Sequence, residues 1–132
     1  MGREYIGHWK QIDFQDEYIK DETDERMPVF LKGREDYDCD PRECWNLDHS
    51  FHIWLLKHLY QFIDDASEVV DLHYLKFTFK GREFDHEELI KMMIERLEFY
   101  FSEEYDDWNE DDAAYVHEVV EIWSIVLRAM WW

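Results

Sequence analysis

The sequence predicts a mainly α protein, a three-helix bundle with a loop-rich N-terminal third and room for a short β-hairpin that would make it α+β. Three observations carry this expectation. Apolar residues recur at three- and four-residue spacing in three stretches after Trp45, and residues suited to helix N-caps stand before each stretch. No such period is sustained between Met1 and Glu43. A length of 132 residues suits a single domain spanning 1–132, divided into a loop-rich segment 1–44 and a helical core 45–132.

In the N-terminal third, short apolar pieces (Tyr5, Ile6, Trp9; Ile12, Phe14; Val29, Phe30, Leu31) are separated by acidic stretches. Pro28 and Gly33 bracket the last of them, which reads as a short strand. The pattern changes at Trp45. Asn46 or Asp48 caps a helix running to about Asp64, with Phe51, Trp54, Leu55, Leu59, Phe62 and Ile63 on its apolar stripe and His49, His52, Lys57 and Gln61 outside or flanking it. From Tyr74 to Phe84, alternation around Leu75, Phe77 and Phe79 with a turn at Lys80-Gly81 suggests a strand or hairpin.

Asp85 with Glu88 three residues on resembles a capping box, Asp standing in for Ser or Thr. It opens a helix that buries Leu89, Met93, Ile94, Leu97, Tyr100 and Phe101 and turns Glu87, Lys91, Glu95, Glu98 and Ser102 outward. Glu103 to Asp112 reads as an acidic loop around Trp108. Asn109 or Asp111 then caps a third helix to about Met130, with Val116, Val119, Val120, Trp123, Leu127 and Met130 as its stripe, widened by Ile122 and Ile125. So apolar a helix needs covering on two sides, as a central helix or as an oligomer interface to which Trp131-Trp132 would add.

Apolar residues make up 46% and aromatics 18% of the chain, which separates it from a disordered acidic tail despite 36% charged residues. The formal charge is −19, from 33 acids against 14 bases. Phosphate neutralisation needs clustered Lys and Arg, so direct nucleic-acid binding is disfavoured, and an anionic membrane would repel the chain. No signal peptide or run of about twenty apolar residues is present, which predicts a cytoplasmic protein, with Cys39 and Cys44 as free thiols.

Chemistry finds little support. His49 and His52 have the spacing of a metal pair, and Cys39 and Cys44 would complete a zinc set, but the cysteine step is longer than in zinc fingers and no second pair exists. His52 four residues after Asp48 is explained as a helix-stabilising pair. The serines lie in no nucleophile motif, and four glycines make no phosphate loop. The expectation is no enzyme, no catalytic residue, no cofactor and no metal.

The acids are more informative. Asp13 to Asp48 holds thirteen acids against five bases, and Glu83 to Glu121 holds fifteen against Lys91 and Arg96 alone, a net charge of −13. Duplex DNA carries one charge per about 1.7 Å of axis, and carboxylates on two helices and a loop approach that density. The candidate partner-binding residues are Glu87, Glu95, Glu98, Glu103, Glu104, Asp106, Asp107, Trp108, Glu110, Asp111 and Asp112. A solvated face that only confers solubility is the competing reading. Surface aromatics among Trp9, Tyr37, Trp108, Tyr115, Trp131 and Trp132 would act as anchors, unless they cover the core from loops.

The segment Glu43-Cys44-Trp45-Asn46-Leu47-Asp48, followed by Phe51-His52-Ile53-Trp54-Leu55-Leu56-Lys57-His58-Leu59, resembles a group of small tailed-phage proteins that share a Trp-Asn-Leu-Asp stretch leading into a Trp-Leu-Leu helix. The group has no established activity, so the resemblance implies a phage origin and no mechanism. In general character such a chain is similar to acidic anti-restriction and anti-CRISPR inhibitors. The leading expectation is therefore a DNA mimic in the host cytoplasm that binds a basic channel of a nuclease or CRISPR effector through carboxylates of the Glu83 to Glu121 region and the acidic loop before Trp45. The alternative is a homo-oligomeric assembly protein with a solubilising acidic surface.

Overall fold

The computed structural model describes residues 23, 25–38, 41–44 and 46–132, without the side chain of residue 43. Among them are four α-helices, one β-hairpin and two short 3-10 turns. One compact unit falls within residues 12–55 and a second holds Leu56–Trp132. The expected apolar pieces at Tyr5, Ile6, Trp9, Ile12 and Phe14 lie outside the described residues.

In the unit within 12–55, the strand expected at Val29 to Leu31 is instead part of helix α1, Met27–Tyr37, so this part of the N-terminal third is helical rather than loop. Pro28 sits in the first turn, where its missing amide costs no hydrogen bond. Gly33 does not end the helix. A Cβ there would run into the Cγ of Pro41, so the glycine serves a close approach. Asp38, at φ 61°, stops α1 in the left-handed conformation with its amide on the Arg34 carbonyl at 2.9 Å. Phe30 is buried, and the buried guanidinium of Arg42, from the 3-10 turn Pro41–Cys44, stands 4.3 Å from its ring centre.

Helix α2, Leu47–Ala66, begins at Asn46, whose carbonyl accepts the Ser50 amide at 3.0 Å; Asp48 falls in the first turn. Leu55, Leu59 and Ile63 are buried as the spacing predicts, and Leu56, Tyr60 and Ala66 join them. Trp54, expected on the stripe, is exposed.

In the unit from Leu56 onward, β1 (Lys76–Phe79) pairs antiparallel with β2 (Arg82–Asp85), Phe77 opposite Phe84 and Phe79 opposite Arg82. Lys80 and Gly81 both take positive φ, 51° and 77°, as a two-residue type I′ turn requires. Asp85 then ends β2 and caps α3, His86–Tyr100: its side chain accepts the Glu88 amide at 2.8 Å, and Glu88 Oε1 accepts the Asp85 amide at 2.9 Å.

Helix α4, Glu110–Val126, returns antiparallel to α3. Arg96 meets Glu118, Phe99 meets Tyr115, and His86 meets Met130, so contacts move down one helix as they move up the other. Leu89, Ile90, Met93, Ile94 and Leu97 of α3 are buried, as are Val116, Val119, Ile122 and Val126 of α4. The expected α4 stripe needs correction. Val120 and Leu127 are exposed, Ile122 and Val126 take their place, and the helix ends at Val126 in the 3-10 turn Leu127–Ala129 rather than near Met130. The αα packing fixes which side of this broadly apolar helix turns inward.

This assignment is checked by two truncations on α4. Ile122→Ala should cost about 2–5 kcal/mol in denaturant unfolding, whereas Val120→Ala should stay within about 0.5 kcal/mol. Equal costs would place the helix face wrongly.

Candidate functional site: an acidic loop around Trp108

The turn between α3 and α4 gathers Glu103, Glu104, Asp106, Asp107, Trp108, Glu110 and Asp111 at the surface. Its shape follows from short polar side chains. Ser102 Oγ donates to the Phe99 carbonyl at 2.7 Å as α3 ends, Asp106 Oδ1 accepts the Trp108 amide at 2.9 Å, and Asp112 Oδ2 accepts the Asp106 amide at 3.1 Å. Asn109 caps α4 through the amides of Asp111 (2.9 Å) and Asp112 (3.1 Å). Below the loop, Tyr105 packs on Phe99 and Tyr100 with ring centres 5.8 and 5.0 Å apart. Trp108 is 93% exposed, so it does not cover the core.

Other predicted residues lie apart from this group or carry structural duties. Glu87 is in the first turn of α3, roughly 16 Å along the axis from Glu98, and it pairs with Lys91 at 2.9 Å and with His73 at 3.4 Å. Glu98 accepts a hydrogen bond from the Tyr60 hydroxyl. Glu95 is exposed in the middle of α3, and Asp112 braces the loop.

Helix electrostatics separates the acids further. Glu110, Asp111 and Asp112 occupy the first turn of α4, where the helix dipole favours negative charge. Glu103 and Glu104 follow the C-terminal end of α3, where the dipole disfavours it, and the last turn of α3 contains no basic residue. The two cations of this segment are directed elsewhere, Lys91 to Glu87 and Arg96 to Glu118 at 2.9 Å. Among the described residues no cation pairs with Glu103, Glu104, Asp106, Asp107, Glu110 or Asp111. Among the described residues, Glu103, Glu104 and Asp107 therefore have no ion pair with the fold.

Sequence reasoning did not single out the residues that brace this region. Glu118 receives both Lys80, from the hairpin turn, and Arg96, whose guanidinium also lies 4.5 Å from the Tyr115 ring centre. Burial raises the Glu118 carboxyl, but the bonds from Lys80 and Arg96 outweigh it and hold the group below its ordinary range. No local spacing announces these partners.

The metal candidates are not assembled by the described residues. Cys44 is an exposed free thiol, Cys39 lies outside the described residues, and His49 and His52 are half-buried on α2. Burial lowers the His52 pKa against the pull of Asp48. Among the described residues no group of three or more His, Cys, Asp or Glu side chains is placed to hold a metal ion. No helix there is long and apolar enough to cross a membrane. No protein-family model, curated protein or solved structure matches the chain.

Two stability measurements check the site. Neutralising Glu103, Glu104 and Asp107 together (E103Q, E104Q, D107N) should leave the melting temperature unchanged or raise it, while Asn109→Ala should cost about 1 kcal/mol; a fall in the triple variant would give those acids a structural role. The second concerns His86, buried with its ring 6.1 Å from Phe62 and 5.6 Å from Phe77 between centres. Burial depresses its pKa against the pull of Asp85. The unfolded chain then takes up a proton that the folded ring refuses as pH drops below about 6.5, so stability present above that pH is lost on acidification. Replacing His86 by Leu should narrow the stability gap between about pH 8 and about pH 5.

Proposed function

We propose that the chain is an acidic inhibitor of phage type that occupies the basic nucleic-acid-binding surface of a host defence nuclease or CRISPR effector in the host cytoplasm, acting as a DNA mimic. The observation that carries this reading is the α3–α4 loop: carboxylates that pair with no cation among the described residues stand around a fully presented tryptophan, on a turn held by its own hydrogen bonds. Fixed carboxylates replace phosphates in a basic groove, and an indole supplies an anchor on which an arginine stacks. Long-range attraction between the two surfaces speeds association.

A second reading, self-association, is favoured by Val120, Leu127, Trp131 and Trp132, all exposed on α4 and the segment after it. The two readings respond oppositely to salt. Screening weakens a charge-driven complex and leaves an apolar dimer intact or strengthens it.

The test is inhibition of DNA cleavage by purified restriction nucleases and RNA-guided nucleases, with affinity measured from about 50 to about 200 mM salt. A complex resting on about six charge contacts should weaken roughly 10³-fold over that range and be competed by duplex DNA. Trp108→Ala should weaken it at least tenfold without altering the salt slope, and the triple neutralisation of Glu103, Glu104 and Asp107 should flatten the slope. Absence of inhibition across the panel, together with a mass that rises with concentration at high salt, would leave self-association in its place.

A further inference from the structure

We infer that His73 is a proton-operated clasp: doubly protonated it fastens the loop before β1 to the N-terminus of α3, and on losing one proton it releases that loop.

The geometry of the ring carries the argument. Nδ1 lies 2.9 Å from Asp85 Oδ2 and Nε2 lies 3.4 Å from Glu87 Oε2. A neutral imidazole has one N–H and one lone pair, so it would turn that lone pair against one of the two carboxylates; only the imidazolium can donate to Asp85 and at the same time form an ion pair with Glu87. The site is also poised. Asp85 uses its other oxygen to cap α3, so the clasp grips a carboxylate already fixed by the Glu88 amide. His73 is itself oriented, its backbone amide donating to Asp71 Oδ1 at 2.9 Å.

The charges around the ring come from three elements. Asp71 belongs to its own loop, Asp85 ends β2 with Lys76 of β1 nearby, and Glu87 belongs to α3 with Lys91 bound to it. The hydrogen bond to Asp85, followed by the attraction of Glu87, raises the ring above its ordinary pKa of 6.5. A group raised on folding contributes stability that is fully present below its unfolded pKa and is lost as pH rises through the folded one. The clasp is therefore fully closed below about pH 6.5, the ordinary value, and opens only as pH rises through the raised pKa of the folded ring. A cation at a helix N-terminus is disfavoured by the dipole, which leaves the two carboxylates as the reason the charged form is held.

Two backbone bonds report on the loop, Glu87 amide to Leu72 carbonyl at 3.1 Å and His86 amide to Leu75 carbonyl at 3.2 Å. Hydrogen exchange at the Glu87 and His86 amides, corrected for intrinsic base catalysis, should show protection falling about fivefold between about pH 6 and about pH 9, the order expected of an exposed ion pair. Protection should be low and flat in His73→Gln, and high and flat in His73→Lys, which keeps its charge across that range. The core amides of Ile94 and Leu97 serve as controls. A flat profile in the unaltered protein, the same fall in His73→Gln, or an equal fall at Ile94 and Leu97 would each overturn the clasp.

Discussion

The packing of α3 on α4 is the constraint on which the rest of the molecule depends, because it must hold together a chain with a formal charge of −19. Each buried Leu, Ile, Met or Val of that seam contributes about 1.5–3 kcal/mol relative to exposure. Exposed charges more than about 10 Å apart are screened at moderate salt. Apolar burial between two helices therefore wins over a diffuse repulsion, provided the acids stay outside the seam. The few cations reinforce the arrangement at its edges: Glu118 ties Lys80 of the hairpin turn and Arg96 of α3 to α4, and Lys91 neutralises Glu87. Among the described residues no cation pairs with the acids of the α3–α4 turn.

The same economy of polar groups is visible at Asp85. One carboxylate ends a strand, caps a helix and binds His73, while the next residue, His86, is buried against Phe62, Phe77 and Met130. Burial pushes the Asp85 carboxyl up, yet the hydrogen bonds from His73 and the Glu88 amide prevail and keep it below its ordinary range. Adjacent surroundings thus give two histidines opposite titrations. His73, exposed among carboxylates, favours its charged form; His86, enclosed by rings and a thioether, favours the neutral one. The difference comes from dielectric and partners rather than from residue type.

How much was legible in the sequence follows from how local each signal is. The hairpin turn at Lys80-Gly81, the capping box of Asp85 and Glu88 and the Asn109 cap are written within four residues, and the structure contains all three. Helix α1 was not legible, because among its residues only Phe30 is buried and no apolar period exists to be read; Pro28 and Gly33 resemble strand boundaries until Pro41 is seen against Gly33. On α4, apolar residues at 116, 119, 120, 122 and 123 surround most of the helix, so the face turned inward depends on α3 and not on spacing. The acidic site was legible as a charge run. Which acids carry structural duties was not, since Tyr60 lies 38 residues from Glu98 and no spacing rule links His73 to Glu87.

That distinction bears on why such a loop would persist. Glu103 and Glu104, placed after the negative end of α3, oppose the helix dipole and one another, so the folded protein retains a local repulsion that a neutral loop would avoid. On the proposed reading, a cationic groove would remove this repulsion on contact, and the relief would add to the attraction between the two surfaces. The loop is already shaped, its turns set by Asp106, Asn109 and Asp112, so on that reading little backbone entropy would be lost in presenting Trp108. Charge that weakens a free fold and strengthens a complex is coupled to folding by mass action: the affinity of a partner would return the stability that the isolated chain gives up. On the proposed reading, the acids that pair with no cation among the described residues are therefore the ones to which binding is most sensitive.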